Sequence, residues 1–245
     1  MQLPLRSGTP GAASHVRDAG AALVAVTAVT LLLFPGLVFQ GRVLFDRDLA
    51  LMWQPQVESF VHMVTQGSWP LWDPYVSFGR PLLANPNAQV LYPPTWLNLL
   101  VRPERFLTLY VLAHLTLAGV GGALLARRLQ LGLGASLLTA SSFAASGPLL
   151  SLVNAWNHLP AACLLPWACL AAEVALARGR ARHAAAWGAV LALQVLGGSP
   201  DLALFTAAIG GAWLAWYLAT AGSAAVRWRL LRSSGIAAVL ALCLS

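Results

Sequence analysis

The sequence predicts an all-α membrane protein, a polytopic bundle of transmembrane helices with one long loop. Three observations predict it. Of 245 residues, 58% are hydrophobic and 9% charged, where ordinary soluble domains carry about 25% charged residues. The apolar residues gather into runs, most of them near the ~20 residues that a helix needs to cross a bilayer. The fifteen basic residues, all Arg, fall in short clusters between those runs. Such parcelling leaves no basic face, which argues against nucleic-acid binding.

The first run covers 20–39, behind Arg6 and Arg17. It is longer than a signal-peptide core and no small-x-small cleavage pattern follows, so it reads as an uncleaved first transmembrane helix after a cytoplasmic tail, 1–19. Further runs occupy 106–126, 131–152, 159–177, 184–197 and 199–219, and another begins at Gly235. That gives six complete spans and the start of a seventh. The fifth is short and needs Arg182 and His183 to snorkel. The last runs apolar to Ser245 with too few residues to span, so the sequence reads as the N-terminal part of something longer. Cys163, Cys169 and Cys243 lie inside apolar runs and read as small hydrophobes.

Orientation follows from Arg, because cationic segments resist translocation. Arg6 and Arg17, Arg127 and Arg128, Arg178 to Arg182, and Arg227 to Arg232 occupy every second connection. The opposite connections, 153–158 and Gly198, carry no basic residue. The N-terminus is therefore expected in the cytoplasm and the long segment 41–105 outside.

This outer loop holds five of the eight acidic residues (Asp46, Asp48, Glu58, Asp73, Glu104), eight of fifteen Pro and four of ten Trp. Its Trp and Tyr suit the headgroup region, so the loop is expected to lie on the membrane surface as a lid. Gln54-Pro55 opens a helix that should end at Gly67, with Val57, Phe60, Val61 and Val64 at three- and four-residue steps. A second short helix is expected over 94–100.

Asp46 and Asp48 follow the first span closely. Paired carboxylates there suit a general base or hard-oxygen ligands for a divalent cation, Mg or Mn, and sharing an ion would require extended backbone. Read on spacing alone, Asp48 caps the next helix and Asp46 pairs with Arg42 or Arg47. His114 lies mid-span, where a neutral imidazole hydrogen-bonded to a neighbouring helix is the plain reading. Asn154, Asn157 and His158 share an outer connection. Glu173 reads as a snorkelling partner of Arg178, and Asp201 as a cap or dipole partner in the first turn of the sixth span. Gly121-Gly122 and Gly210-Gly211 read as close helix contacts. Motifs for nucleotide phosphate, serine hydrolase and zinc chemistry are missing.

The run Arg47-Asp48-Leu49, then Gln54-Pro55, Gly67-Ser68-Trp69-Pro70-Leu71-Trp72-Asp73-Pro74-Tyr75, Gly79-Arg80-Pro81-Leu82-Leu83-Ala84-Asn85-Pro86 and Tyr92-Pro93-Pro94 resembles the first outer loop of YfhO-like bacterial membrane proteins, which belong with the GT-C glycosyltransferases. The likeness continues through His114, Phe143 to Gly147, Pro166-Trp167 and Gly197-Gly198-Ser199-Pro200-Asp201, covering about residues 20 to 220. Asp73 departs from the family's usual Asn, and Ser199-Pro200-Asp201 stands where a Glu or His would be expected.

The resemblance implies a GT-C-type domain over 20–245 in the bacterial inner membrane. It also implies an inverting transfer of sugar from a polyprenyl-phosphate donor to a cell-envelope glycan or lipid acceptor on the outer face. Asp48 is the position matching the family's catalytic carboxylate, expected to act as base with Asp46 as helper. Arg47 and Arg80, or a cation on Asp46 and Asp48, would neutralise the phosphate. Asp73, His114, His158 and Asp201 are the remaining candidates for substrate contact. The alternative is a non-catalytic protein on the same scaffold, a glycolipid transporter or assembly factor.

Overall fold

The computed structural model describes residues 12–44, 48–76 and 78–245. They are nearly all helical, and four helical stretches among them are long and apolar enough to cross a membrane: Pro103–Arg128, Leu133–Asn154, Leu159–Arg178 and Pro200–Thr220.

Helix α1 spans Ala12–Leu33 and a short α2 spans Pro35–Phe39. The expected run over 20–39 is thus broken at Phe34, which takes φ −125°, ψ 51°. Pro35 has no N–H to continue the ladder, and its ring excludes the preceding residue from helical geometry. The loop follows: a π-helical turn over Leu49–Trp53 runs directly into α3, Gln54–Thr65. Gly67 stops that helix at φ +75°, a conformation glycine takes without penalty. Two residue pairs form the chain's only sheet among the described residues, β1 (Trp72–Asp73) against β2 (Arg80–Pro81), antiparallel. Tight 3-10 turns cover Pro86–Ala88 and Pro93–Leu99, the latter where a short helix was expected.

The remaining helices are α4 (Pro103–Arg128), α5 (Leu133–Ala144), α6 (Gly147–Ser151), α7 (Leu159–Arg178), α8 (Ala181–Leu196), α9 (Pro200–Thr220) and α10 (Ala224–Leu244). Pro148 divides α5 from α6, with the Ser146 hydroxyl accepting from Leu149 N–H at the restart. Helix α10 corrects an expectation. It begins at Ala224, not Gly235, and its 21 residues reach about 31 Å at ~1.5 Å per residue. Arg227, Arg229 and Arg232 therefore lie on the helix and not in a connection. Ser223 caps it, its hydroxyl accepting from Val226 N–H.

Polar contacts separate the two ends of the bundle. At one end, Asp18 of α1 accepts from Arg127 of α4 at 2.8 Å, and Glu173 of α7 accepts from Arg128 at 2.6 Å and from Tyr217 of α9 at 3.4 Å. Arg232 of α10 donates to the carbonyl of Gly179 there. The expected Glu173–Arg178 pair is replaced by Glu173–Arg128, which links two helices and covers a buried carboxylate. At the opposite end, the loop packs on the connections around 155–158 and 197–199. We call these the arginine end and the loop end.

Between them, close helix contacts use Gly121 and Gly210. A Cβ on Gly121 would lie 2.5 Å from Trp167 Nε1, and one on Gly210 would lie 2.6 Å from Trp187. Gly122 and Gly211 have ordinary room. The cysteines are all free, Cys163 buried.

Candidate functional site

The loop end is built on aromatic packing. Leu49, Trp53 and Val57 from the π turn and α3 meet Tyr92, Phe106, Tyr110 and Trp156 in one buried cluster. Tyr110 stacks on Trp156 with ring centroids 4.2 Å apart. The hydrophobic spacing in α3 explains its orientation: Val57 and Phe60 are buried while Glu58 stays exposed, accepting from Gln54.

Asp48 stands at the start of this platform. Its carboxylate is exposed, does not cap the following turn, and makes no hydrogen bond or ion pair with a described residue. The capping role open to it from spacing is therefore not taken. Asp46 and Arg47 lie outside the described residues. Among those described, no three His, Cys, Asp or Glu side chains come together to hold a metal ion.

Asp73 and Arg80 face each other in register across β1 and β2. Asp73 is fully buried and accepts from Ser59 Oγ at 2.7 Å and from Tyr75 N–H at 3.0 Å. Arg80 Nε lies 3.5 Å from its second oxygen, and Arg80 also donates to Gln56 Oε1. The pair fastens the hairpin to α3, while the Arg80 side chain stays 32% exposed.

His114 is buried and fully engaged. Its Nδ1 is 2.7 Å from the Tyr110 carbonyl, which can only accept, so Nδ1 carries the hydrogen. Nε2 then accepts from Tyr92 O–H at 2.9 Å. Burial pushes the Tyr92 phenol well above its ordinary value, so that hydroxyl keeps its proton. His114 thus fixes the loop to α4, and its partners are the loop and its own helix turn, where a neighbouring helix was expected. Above it, between the 93–99 turn and α4, an apolar groove of about 420 Å³ is lined by Tyr92, Leu97, Val101, Phe106 and Ala113.

His158 and Asp201 come together from two connections. Ser199 Oγ lies 2.7 Å from His158 Nδ1 and 2.6 Å from Asp201 Oδ1. Asn157 Nδ2 lies 3.3 Å from His158 Nε2. Ser199 is fully buried, while the His158 and Asp201 side chains are 37% and 56% exposed.

Two residues without an assigned role in the sequence organise this end. Gln89, buried at φ +53°, donates to the carbonyls of Trp156 (2.9 Å) and Gly197 (2.8 Å) and accepts from Tyr110 O–H (2.7 Å). Ser199 was visible within a motif, but its link to His158, 41 residues away, was not. A lone Gln between Asn-Pro and Tyr-Pro-Pro is the faint signal for the first. Compared with family models, curated proteins and solved structures, the chain matches none.

Proposed function

We propose that this chain is the membrane domain of an inverting GT-C-type glycosyltransferase. It moves a sugar from a polyprenyl-phosphate donor to a cell-envelope acceptor at the outer face of a bacterial inner membrane. In this reading the arginine end is cytoplasmic, as the retention of cationic segments requires, and the loop end faces out.

The observation that carries the reading is Asp48. Unlike Asp73 or Glu58, its carboxylate is exposed and has no partner among the described residues, and it stands on a buried aromatic platform that fixes the backbone beneath it. A carboxylate held that way is available to a reacting sugar and costs no internal bond to engage. The groove beside Tyr92 supports the donor half, since its lining is apolar and an isoprenoid chain needs such a wall. A transporter would use ionisable groups midway through the bundle, and the histidine there among the described residues, His114, is saturated by Tyr92 and Tyr110.

Membranes carrying the protein, incubated with a labelled polyprenyl-phosphate sugar, test the reading. Transfer of label with release of the carrier phosphate is expected, and its loss in Asp48→Asn. Label moving across the membrane still attached to its lipid would support the transporter or assembly-factor reading instead.

A further inference from the structure

We infer that His158 is the proton acceptor of the loop end, its Nε2 taking the hydrogen of a substrate hydroxyl while Ser199 and Asp201 position the ring. The identity of that substrate, the acceptor of a transferred sugar, rests on the function proposed above.

Hydrogen counting sets the direction of the chain. Ser199 has one hydroxyl hydrogen and two neighbours, Asp201 Oδ1 at 2.6 Å and His158 Nδ1 at 2.7 Å. An ionised carboxylate only accepts, so the hydroxyl donates to Asp201 and accepts from Nδ1–H. In the neutral ring Nε2 therefore holds the lone pair. Its one hydrogen-bond partner among the described residues is the Asn157 amide at 3.3 Å, a long donor that a substrate hydroxyl can displace.

The arrangement is costly as mere structure. Ser199 occupies the N-cap position of α9, where serine normally bonds an orphan N–H, yet its side chain makes no capping bond. The hydroxyl is diverted to the relay. Gly198, at φ +94°, lets the chain turn tightly against Asn157 and the Pro86 carbonyl. Gln89 ties both connections together from below. The fully buried Ser199 hydroxyl thus orients a ring that is itself partly exposed, with the more exposed Asp201 behind it, which is how an acid–base group is held in place. Asp201 is the one carboxylate within 4 Å of the ring among the described residues, with Oδ2 3.8 Å from Nδ1. Pro86 and Gln89, from the loop, bring no charge.

In the transfer step the acceptor oxygen bonds the anomeric carbon as its hydrogen passes to Nε2. The phosphate leaves with the electrons of the broken carbon–oxygen bond. The imidazolium, stabilised by Asp201 through Ser199, returns its proton to water at the exposed edge. Asp48 is left to face the positive charge that develops on the sugar.

Two measurements test this, the first without any activity. The full chain in detergent is treated with diethyl pyrocarbonate, which acylates neutral imidazole, and the rate of modification at His158 is followed by mass spectrometry at one fixed pH. Wild-type His158 should react through its Nε2 lone pair, and Asp201→Asn and Ser199→Ala should each change that rate by at least about threefold, because each breaks the chain of bonds that fixes the hydrogen on Nδ1. A rate unmoved by both substitutions, or a His158 that never reacts, overturns the relay.

The second is the pH profile of transfer. An imidazole base gives an acidic limb at about pH 6 to 7 and a carboxylate base one near about pH 4. We expect the former, and a loss of at least about 100-fold in kcat/KM for His158→Gln. A limb near pH 4 with activity surviving His158→Gln overturns the inference and leaves the transferase reading standing. Failure of wild type to transfer label overturns the transferase reading, and with it the hydroxyl substrate, while the modification experiment still decides the relay.

Discussion

The side-chain amide of Gln89 donates to the carbonyl of Gly197, 108 residues away, at 2.8 Å. With its bond to the Trp156 carbonyl, it holds two connections of the bundle to one point of the loop. Gln89→Leu leaves two buried carbonyls and the Tyr110 hydroxyl without their partner, at about 1–3 kcal/mol each before relaxation. The expected outcome is a loop released from the bundle: a lower melting temperature in detergent and faster proteolysis within 66–80, with the helices themselves intact by circular dichroism.

Two acids of the same loop should behave oppositely. Asp73 is buried under Ser59, Tyr75 and Arg80, so Asp73→Ala is expected to destabilise by about 2–3 kcal/mol, chiefly through the buried Ser59 hydroxyl and the Tyr75 N–H left without their acceptor. Asp48→Ala should leave the melting temperature unchanged and remove transfer. Thermal melts of the two variants side by side, with the transfer assay on Asp48→Ala, check both halves.

Glu173 accepts from Arg128 and Tyr217, and its side chain is 6% exposed. Replacement by Ala leaves a largely covered guanidinium unpaired, a loss of about 2–4 kcal/mol once the partial exposure of Arg128 is allowed for. Glu58→Ala, which breaks only an exposed bond to Gln54, serves as control and should change stability by less than about 0.5 kcal/mol. Chemical denaturation in mixed micelles distinguishes them.

Gly121→Ala is expected to cost about 1–3 kcal/mol, because the added methyl meets the Trp167 ring that donates to the Leu117 carbonyl. Gly211→Ala, with open space around it, should be neutral or slightly stabilising. Chemical denaturation of the two variants in mixed micelles, followed by circular dichroism, compares them.

Helix existence was legible wherever an apolar run ended in Pro or Gly. Pro55 and Gly67 bracket α3, and Pro200 opens α9, as their backbone restrictions require. Hydropathy failed at α10, where three Arg mask eleven residues of helix, although Ser223 marked the true start. Contact identity was less legible than secondary structure. Arg178 was the nearest partner for Glu173 in sequence, but Arg128, 45 residues away, lies across the helix interface and wins because it shields the buried carboxylate. Likewise Asp73 and Arg80 were visible as charges in a motif, while their mutual neutralisation depended on a two-residue antiparallel register. His158 and Asp201 were each legible as polar residues facing one side, but the serine joining them required the fold.

The ion pairs at the arginine end also bear on how the molecule moves. Asp18 with Arg127, and Glu173 with Arg128 and Tyr217, rivet α1, α4, α7 and α9 to one another. Any rocking of one half of the bundle against the other would have to pull apart low-dielectric charge pairs, each resisting by several kcal/mol. The opposite end carries no such charge pair between helices among the described residues: there the loop is joined to the bundle by buried aromatic packing and by the neutral hydrogen bonds of Gln89, so charge locks one end of the molecule and shape the other.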